Sequence, residues 1–286
     1  MKKILLTGGS GFIGRNILPL LREKYCVVSP SRKELNLLEE AAVVEYLKNG
    51  AFDVVIHCAN STPAKNPLDS QDRMLADSLR AYFNLRKCSD LYAKMLYLGS
   101  GAEYDKRFDI SYVTEDEIGN TIPQDDYGFA KYIMNEDARK SENIYNLRIF
   151  GCYGQTDAKS KFIRDAIDCC LENRAITIRQ NCMFDYMYVT DLADVISKFI
   201  EKSPKFHDYN VCTGKKISLK EIAEVVAEQM HNAYPIEIAK AGWNKEYTAS
   251  NKRLCDEFKN IVFTSIEDGI AQQIEWQRSY NEEKSC

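Results

Sequence analysis

A tyrosine and a lysine four residues apart, Tyr127 and Lys131 in DYGFAK, are the pair in this chain best suited to moving a proton. On a helix that spacing puts both side chains on one face, about one turn apart. A free phenol, with a pKa near 10, exchanges protons poorly at neutral pH. A neighbouring ammonium favours the phenolate, and a helix N-terminus acts in the same direction. Ser100, in LGSGAEY, stands at the end of an apolar run, where its hydroxyl would orient the reacting oxygen. With 17 tyrosines in the chain, Tyr-x-x-x-Lys also arises by chance, and serine in a glycine-rich loop is commonly a turn cap. The three therefore take their weight from position: all follow the fourth of a series of strands, at the end where open parallel sheets bind ligands.

The second chemical signal is GGSGFIG at residues 8–14. It lies between a strand and a helix, where the pyrophosphate of a dinucleotide meets backbone N–H groups at a helix N-terminus. Gly8 permits a tight turn, Gly11 close approach of phosphate, and Gly14 close packing of helix on strand. Phe12 and Ile13 in the loop, and Cys58 and Ala59 at the end of the third strand, are assigned to the same cofactor site. At the end of the second strand, NAD-preferring sites carry an acidic residue for the ribose hydroxyls, whereas this chain reads VVSPSRKEL. Ser29 and Arg32 suit a 2′-phosphate instead, Arg32 through a charge-assisted contact. NADP is the expected cofactor, with NAD as the alternative.

These residues need a scaffold, and the hydrophobic pattern supplies one. Apolar runs at 3–7, 25–29, 53–58, 95–99 and 145–149 read as strands. Between them, segments 12–22, 38–49, 74–92 and 126–142 carry apolar residues at three- and four-residue spacing. Strand and helix alternating in this way predict an α/β fold, a Rossmann-type doubly wound parallel sheet. After residue 150 the rhythm changes to helices near 160–173, 190–202, 218–231 and 265–279, with a short strand near 176–179. The expected division is a cofactor-binding domain over 1–150 and a smaller C-terminal substrate lobe over 151–286. Elements near 176–202 are expected to return to the first domain.

Composition narrows the field. Hydrophobic residues at 45% and charged residues at 28% are ordinary for a globular chain. A net charge of -4 provides no electrostatic footprint for nucleic acid or anionic lipid. No stretch approaches the ~20 apolar residues that cross a bilayer, and the apolar run near the N-terminus is too short for a signal peptide. A cytoplasmic protein is expected. The 10 cysteines are scattered, and no Cys/His spacing suits zinc, so no metal site is expected.

Taken together, TGGSGFIG, DVVIHCA, LGSGAEY, YGFAK, NLRIFGCYG, FDYMYVTDLADV, YNVCTGKKISLKEIAE and IEDGIAQQIEW resemble the extended short-chain dehydrogenases/reductases, the NAD-dependent epimerase/dehydratase family, over nearly the whole chain. The resemblance implies that Ser100, Tyr127 and Lys131 are the catalytic set, with Tyr127 and Lys131 also touching the cofactor. It implies a nucleotide-diphosphate sugar as substrate, reacting at C4, and a homodimer packed through the helices near 74–92 and 126–142. The stretch SRKELNLLEEAAVVEYL is similar to the second-strand region of GDP-L-fucose synthases, NADPH-dependent epimerase-reductases, which supports Arg32 as a phosphate contact.

The departures are as informative. Ala102 stands where those synthases carry the epimerising cysteine, and no histidine follows NLRIFGCYG. Gly151 replaces a common Asn, and Phe184 replaces the Arg that often contacts diphosphate. Lys159, Lys161 and Arg164 offer positive charge to a diphosphate, with a solvated helix end as the equal alternative. Glu103 is the one acidic residue after Ser100, where dehydratases carry an Asp-Glu pair. The leading expectation is NADPH-dependent reduction of a 4-keto nucleotide sugar. A 4-epimerase or dehydratase retaining NAD is the alternative within the class, and a non-catalytic cofactor-binding sensor or scaffold the alternative outside it.

Overall fold

The computed structural model describes residues 1–61 and 69–285. In chain order it runs β1 (Lys3–Thr7), α1 (Phe12–Arg22), β2 (Cys26–Val28), α2 (Glu40–Gly50), β3 (Val54–His57), α3 (Met74–Arg86), β4 (Lys94–Ser100), β5 (Ile110–Val113), α4 (Asp126–Ala138) and β6 (Ile144–Ile149). There follow β7 (Gly151–Tyr153), α5 (Phe162–Leu171), β8 (Ile176–Asn181), β9 (Met183–Phe184), β10 (Tyr186–Tyr188), α6 (Asp191–Glu201) and β11 (Asp208–Val211). The chain ends with β12 (Ile217–Ser218), α7 (Leu219–Met230), β13 (Ile236–Trp243), β14 (Tyr247–Ala249), α8 (Lys252–Glu257) and α9 (Ile266–Ser285).

Six parallel strands form the main sheet in the order β11-β6-β4-β3-β1-β2. This is the predicted Rossmann-type doubly wound sheet. Its strands are near-continuous apolar runs because both faces are covered. One face packs Ile4 and Leu6 against Ile17 and Leu21 of α1 and Leu192, Ile196 and Phe199 of α6. The other packs Leu5, Val55 and Tyr97 against Val43 and Leu47 of α2, Tyr82 and Leu85 of α3, and Met134 of α4. At about 1.5–3 kcal/mol for each buried large side chain, these two layers supply the main driving force of the fold.

Register then sets the position of the site. Thr7 pairs with His57, His57 with Tyr97, and Ser100 with Ile149, so the strand ends form one rim. A third apolar cluster joins Ile163 and Ile167 of α5, Ile222 and Val226 of α7, and Ile270 and Ile274 of α9. The short strands β12, β9, β14 and β5 form a separate small sheet.

Two differences from the sequence pattern have clear causes. Helices α3 and α4 stop at Arg86 and Ala138, short of the predicted 92 and 142, because tight turns follow, with Leu91 N–H bonding Cys88 O and Ser141 N–H bonding Ala138 O. Strand β11 was not predicted at all. Its alternation is masked because Asp208 and Asn210 are fully buried polar residues that face the Arg148 guanidinium.

Candidate active site

The turn after β1 has no room for side chains at two glycines. A Cβ on Gly8, whose φ is +73°, would lie 2.6 Å from the Ala59 nitrogen, and one on Gly14 would lie 2.3 Å from Gly8 O. The backbone thus passes close to the β3 loop and to α1. Helix α1 begins after Gly11 with no side-chain cap and no acidic residue in its first turn, so its leading N–H groups and positive dipole end face outward. That arrangement fits a dinucleotide pyrophosphate.

A cleft of about 860 Å³ opens above this turn, lined by Gly8, Gly11, Phe12, Ile13, Gly14, Arg32, Cys58, Ala59 and Tyr127 among others. Nine of the eleven residues assigned to the cofactor from sequence therefore meet in one cavity. The other two stand back from it. Ser29 packs on the turn, its Oγ 2.0 Å from where a Gly9 Cβ would be, and Lys131 is buried behind the wall with Nζ donating to Leu98 O at 2.8 Å. Asn36, Leu37, Asn60 and Ser61 also line the cleft and carried no sequence signal. The Ser61 hydroxyl is buried and bonds no protein atom among the described residues.

Tyr127 lies in the first turn of α4, which Asp125 caps by accepting from Gly128 N–H at 3.0 Å. Gly128 is required here, since a Cβ would come within 2.8 Å of Ala102 O. Lys131 follows one turn on, its Nζ 6.0 Å from the Tyr127 ring centre and 4.9 Å from that of Tyr97. Ser100 closes β4 and caps the next turn, accepting from Ala102 N–H at 3.2 Å. Glu103 accepts from Ser100 N–H at 3.0 Å and from the Arg148 guanidinium at 2.6 Å, completing a buried brace beneath the serine.

Electrostatics correct one expectation. Burial raises the Tyr127 phenol above its ordinary value, hydrogen bonding with Ser100 lowers it, and Glu103 and Asp125 raise it further. Desolvation, which spacing alone does not reveal, is the largest cause of that shift. Burial also pushes Lys131 down to about 8, against the pull of Glu103 and Cys58. In the protein alone, the Tyr127 phenol thus holds its proton more firmly than a free one. The neighbouring groups stay neutral: burial pushes His57 down to about 3, with Lys131 adding to the shift, and pushes Cys58 up to about 12.

The charges weighed for a diphosphate separate. The Arg164 guanidinium is buried, 5.2 Å from the Trp276 ring centre, and bonds Asp157 O inside the lobe, while Lys159 and Lys161 are exposed. Tyr247 had no sequence signal, yet its hydroxyl lies 2.5 Å from where a Gly101 Cβ would be, and the Ser100 side chain lowers its phenol against the larger rise imposed by burial.

A Rossmann sheet with a glycine cradle, and with half-buried Ser100 and Tyr127 beside buried Lys131 at its rim, is an arrangement suited to a nicotinamide-dependent oxidoreductase. The chain belongs to the NAD dependent epimerase/dehydratase family, whose model matches residues 4–212. It is an NAD(P)-binding enzyme of the extended short-chain dehydrogenase/reductase type. It is 29% identical over 253 residues to GDP-L-colitose synthase from Yersinia pseudotuberculosis, covering 79% of this chain and 81% of that protein. It is 26% identical over 244 residues to GDP-6-deoxy-D-talose 4-dehydrogenase from Aggregatibacter actinomycetemcomitans, covering 80% and 81%. The fold superposes with TM-score 0.84 on a GDP-L-fucose synthetase from Naegleria fowleri bound to NADP, at 16% identity, covering 98% of this chain and 95% of that one. Among the described residues no helix is long and apolar enough to cross a membrane.

Proposed function

We propose that the protein reduces the keto group of a 4-keto nucleotide-diphosphate sugar, with NADPH as reductant and Tyr127 as the acid. The observation that carries this reading is the Tyr127 phenol, kept protonated by burial, in the same cleft as the glycine cradle. A reduced nicotinamide dinucleotide held by the glycine cradle and the cleft around it would supply the hydride for the carbonyl carbon. Tyr127 Oη–H donates its proton to the oxygen as negative charge develops there, and the Ser100 hydroxyl orients that oxygen. Lys131, held by Leu98 O, offers positive charge behind the phenol. Arg32, in the same cleft, offers a guanidinium to a 2′-phosphate. The names of the two sequence relatives support a sugar nucleotide and chemistry at C4.

Dehydration is disfavoured because Glu103 has both carboxylate oxygens engaged, with Tyr97 and Ser100 on one and Arg148 and Asn146 on the other. The reading extends to a cytoplasmic homodimer packed through α3 and α4. The deciding experiment screens purified protein and NADPH against 4-keto GDP-, CDP-, dTDP- and UDP-sugars. Oxidation of NADPH with one of them is expected. Bound NAD that survives gel filtration, with sugar interconverted and no net oxidation, would replace the reductase by an epimerase.

A further inference from the structure

We propose that Asp69 is a cofactor-discriminating residue, a carboxylate held against Arg32 that opposes the 2′-phosphate of NADP and leaves the cleft open to NAD as well. This deepens the functional reading above and rests on it. Asp69 and Arg32 line the same cavity, and the Asp69 carboxylate lies 2.7 Å from the Arg32 guanidinium with its own side chain only 2% exposed. At the end of β2, where an acidic residue would receive the ribose hydroxyls of NAD, this chain carries Ser29. Asp69 brings a carboxylate to that neighbourhood from 37 residues further along the chain. A carboxylate there accepts hydrogen bonds from ribose hydroxyls, whereas a phosphate carrying about -1.5 to -2 charges is repelled by it.

A second carboxylate acts in the same sense. The Ser31 backbone N–H, a natural donor to phosphate, is already given to Glu34 at 2.8 Å, and that hydrogen bond holds the Glu34 carboxyl below its usual range. The two donors nearest a 2′-phosphate, Arg32 and Ser31 N–H, therefore each start with an acidic partner. Arg32 attracts the phosphate, Asp69 competes for Arg32, and the preference for NADP over NAD is shallow as a result.

The test measures dissociation constants of NADP+ and NAD+ by calorimetry or fluorescence titration, with no sugar present. Wild-type protein is expected to bind both within about tenfold of each other. Asp69→Asn should tighten NADP+ about tenfold and leave NAD+ unchanged or weaker, because it removes one like charge and frees one charge-assisted donor. Arg32→Gln should weaken NADP+ selectively and abolish the gain from Asp69→Asn in the double variant. Asp69→Ser, with thermal unfolding as a control for folding, should shift the ratio in the same direction. Binding of both dinucleotides with a ratio unmoved by either Asp69 variant overturns this assignment alone. Failure of wild-type protein to bind either one overturns the parent reading with it.

Discussion

Two arginine–carboxylate pairs of nearly equal length stand in very different surroundings. Arg148 and Glu103, 2.6 Å apart beneath Ser100, are both 0% exposed, whereas Arg32 and Asp69, 2.7 Å apart at the β2 end of the cleft, are 46% and 2% exposed. In the first, no water or ligand can replace a lost partner. Arg148 also donates to Asp208 and Asn135, so its removal would strand the buried Glu103 carboxylate and leave Asp208 with Arg253 alone. In the second, water screens the guanidinium and an incoming anion can take the carboxylate's place. Length alone does not separate a structural brace from an exchangeable contact; burial does. The catalytic end is governed by desolvation and the β2 end by competition between charges.

The largest effect is expected where desolvation and chemistry meet. Tyr127→Phe removes the proton donor and keeps the ring, so turnover should fall about 10³-fold while dinucleotide affinity stays within about twofold. Undiminished turnover would show that another group supplies the proton. Next in size is Arg148→Met, which should cost about 3–5 kcal/mol in denaturant unfolding because the buried Glu103 carboxylate loses its ion-pair partner and Asp208 keeps only Arg253. The matching change at the half-exposed pair, Arg32→Gln, should cost less, about 1–2 kcal/mol, because water reaches the guanidinium although the Asp69 side chain is buried. Equal losses from the two would erase the distinction between the pairs.

A pH profile sharpens the contrast further. Reduction needs the Tyr127 proton and the Lys131 charge. The Tyr127 value is raised, so the phenol holds its proton through the mildly alkaline range, while Lys131, lowered to about 8, loses its charge there. The rate of reduction at limiting substrate should therefore be level below pH 8 and fall about tenfold per unit above it. A profile still level well past pH 8 would place the Lys131 ammonium outside the catalytic set.

What could be read in advance divides along the same line. The glycine turn, Ser100, Tyr127 and Lys131 are legible because local spacing places them: strand, turn and helix each bring a side chain to the rim within a few residues. Strand β11 is not, since its inward residues Asp208 and Asn210 are polar and make sense only beside Arg148. The sense of the Tyr127 shift is not legible either, because a lysine four residues on is visible in the sequence while the loss of water around both groups is not. Asp69 reaches Arg32 and Tyr247 reaches Ser100 only through tertiary placement, across separations that no periodicity records.

Tyr247 yields the smallest predicted effect and the finest test of the buried end. Strand β14 inserts between β9 and β5, and this brings the Tyr247 ring against Phe150 at 5.1 Å and its hydroxyl over Gly101. The Ser100 side chain lies close enough to both Tyr247 and Tyr127 to lower the value of each phenol against the rise that burial imposes. If Tyr247 donates to Ser100 Oγ, the serine proton is turned toward Tyr127 and the reacting oxygen, and the linked bonds reinforce one another. Tyr247 is then a positioning residue that works through Ser100. Tyr247→Phe should lower kcat about fivefold with dinucleotide affinity unchanged, and should have no further effect in a Ser100→Ala background. An equal loss in both backgrounds would mean that the ring acts by packing on Gly101 and Phe150, and that its hydroxyl takes no part in aiming the serine.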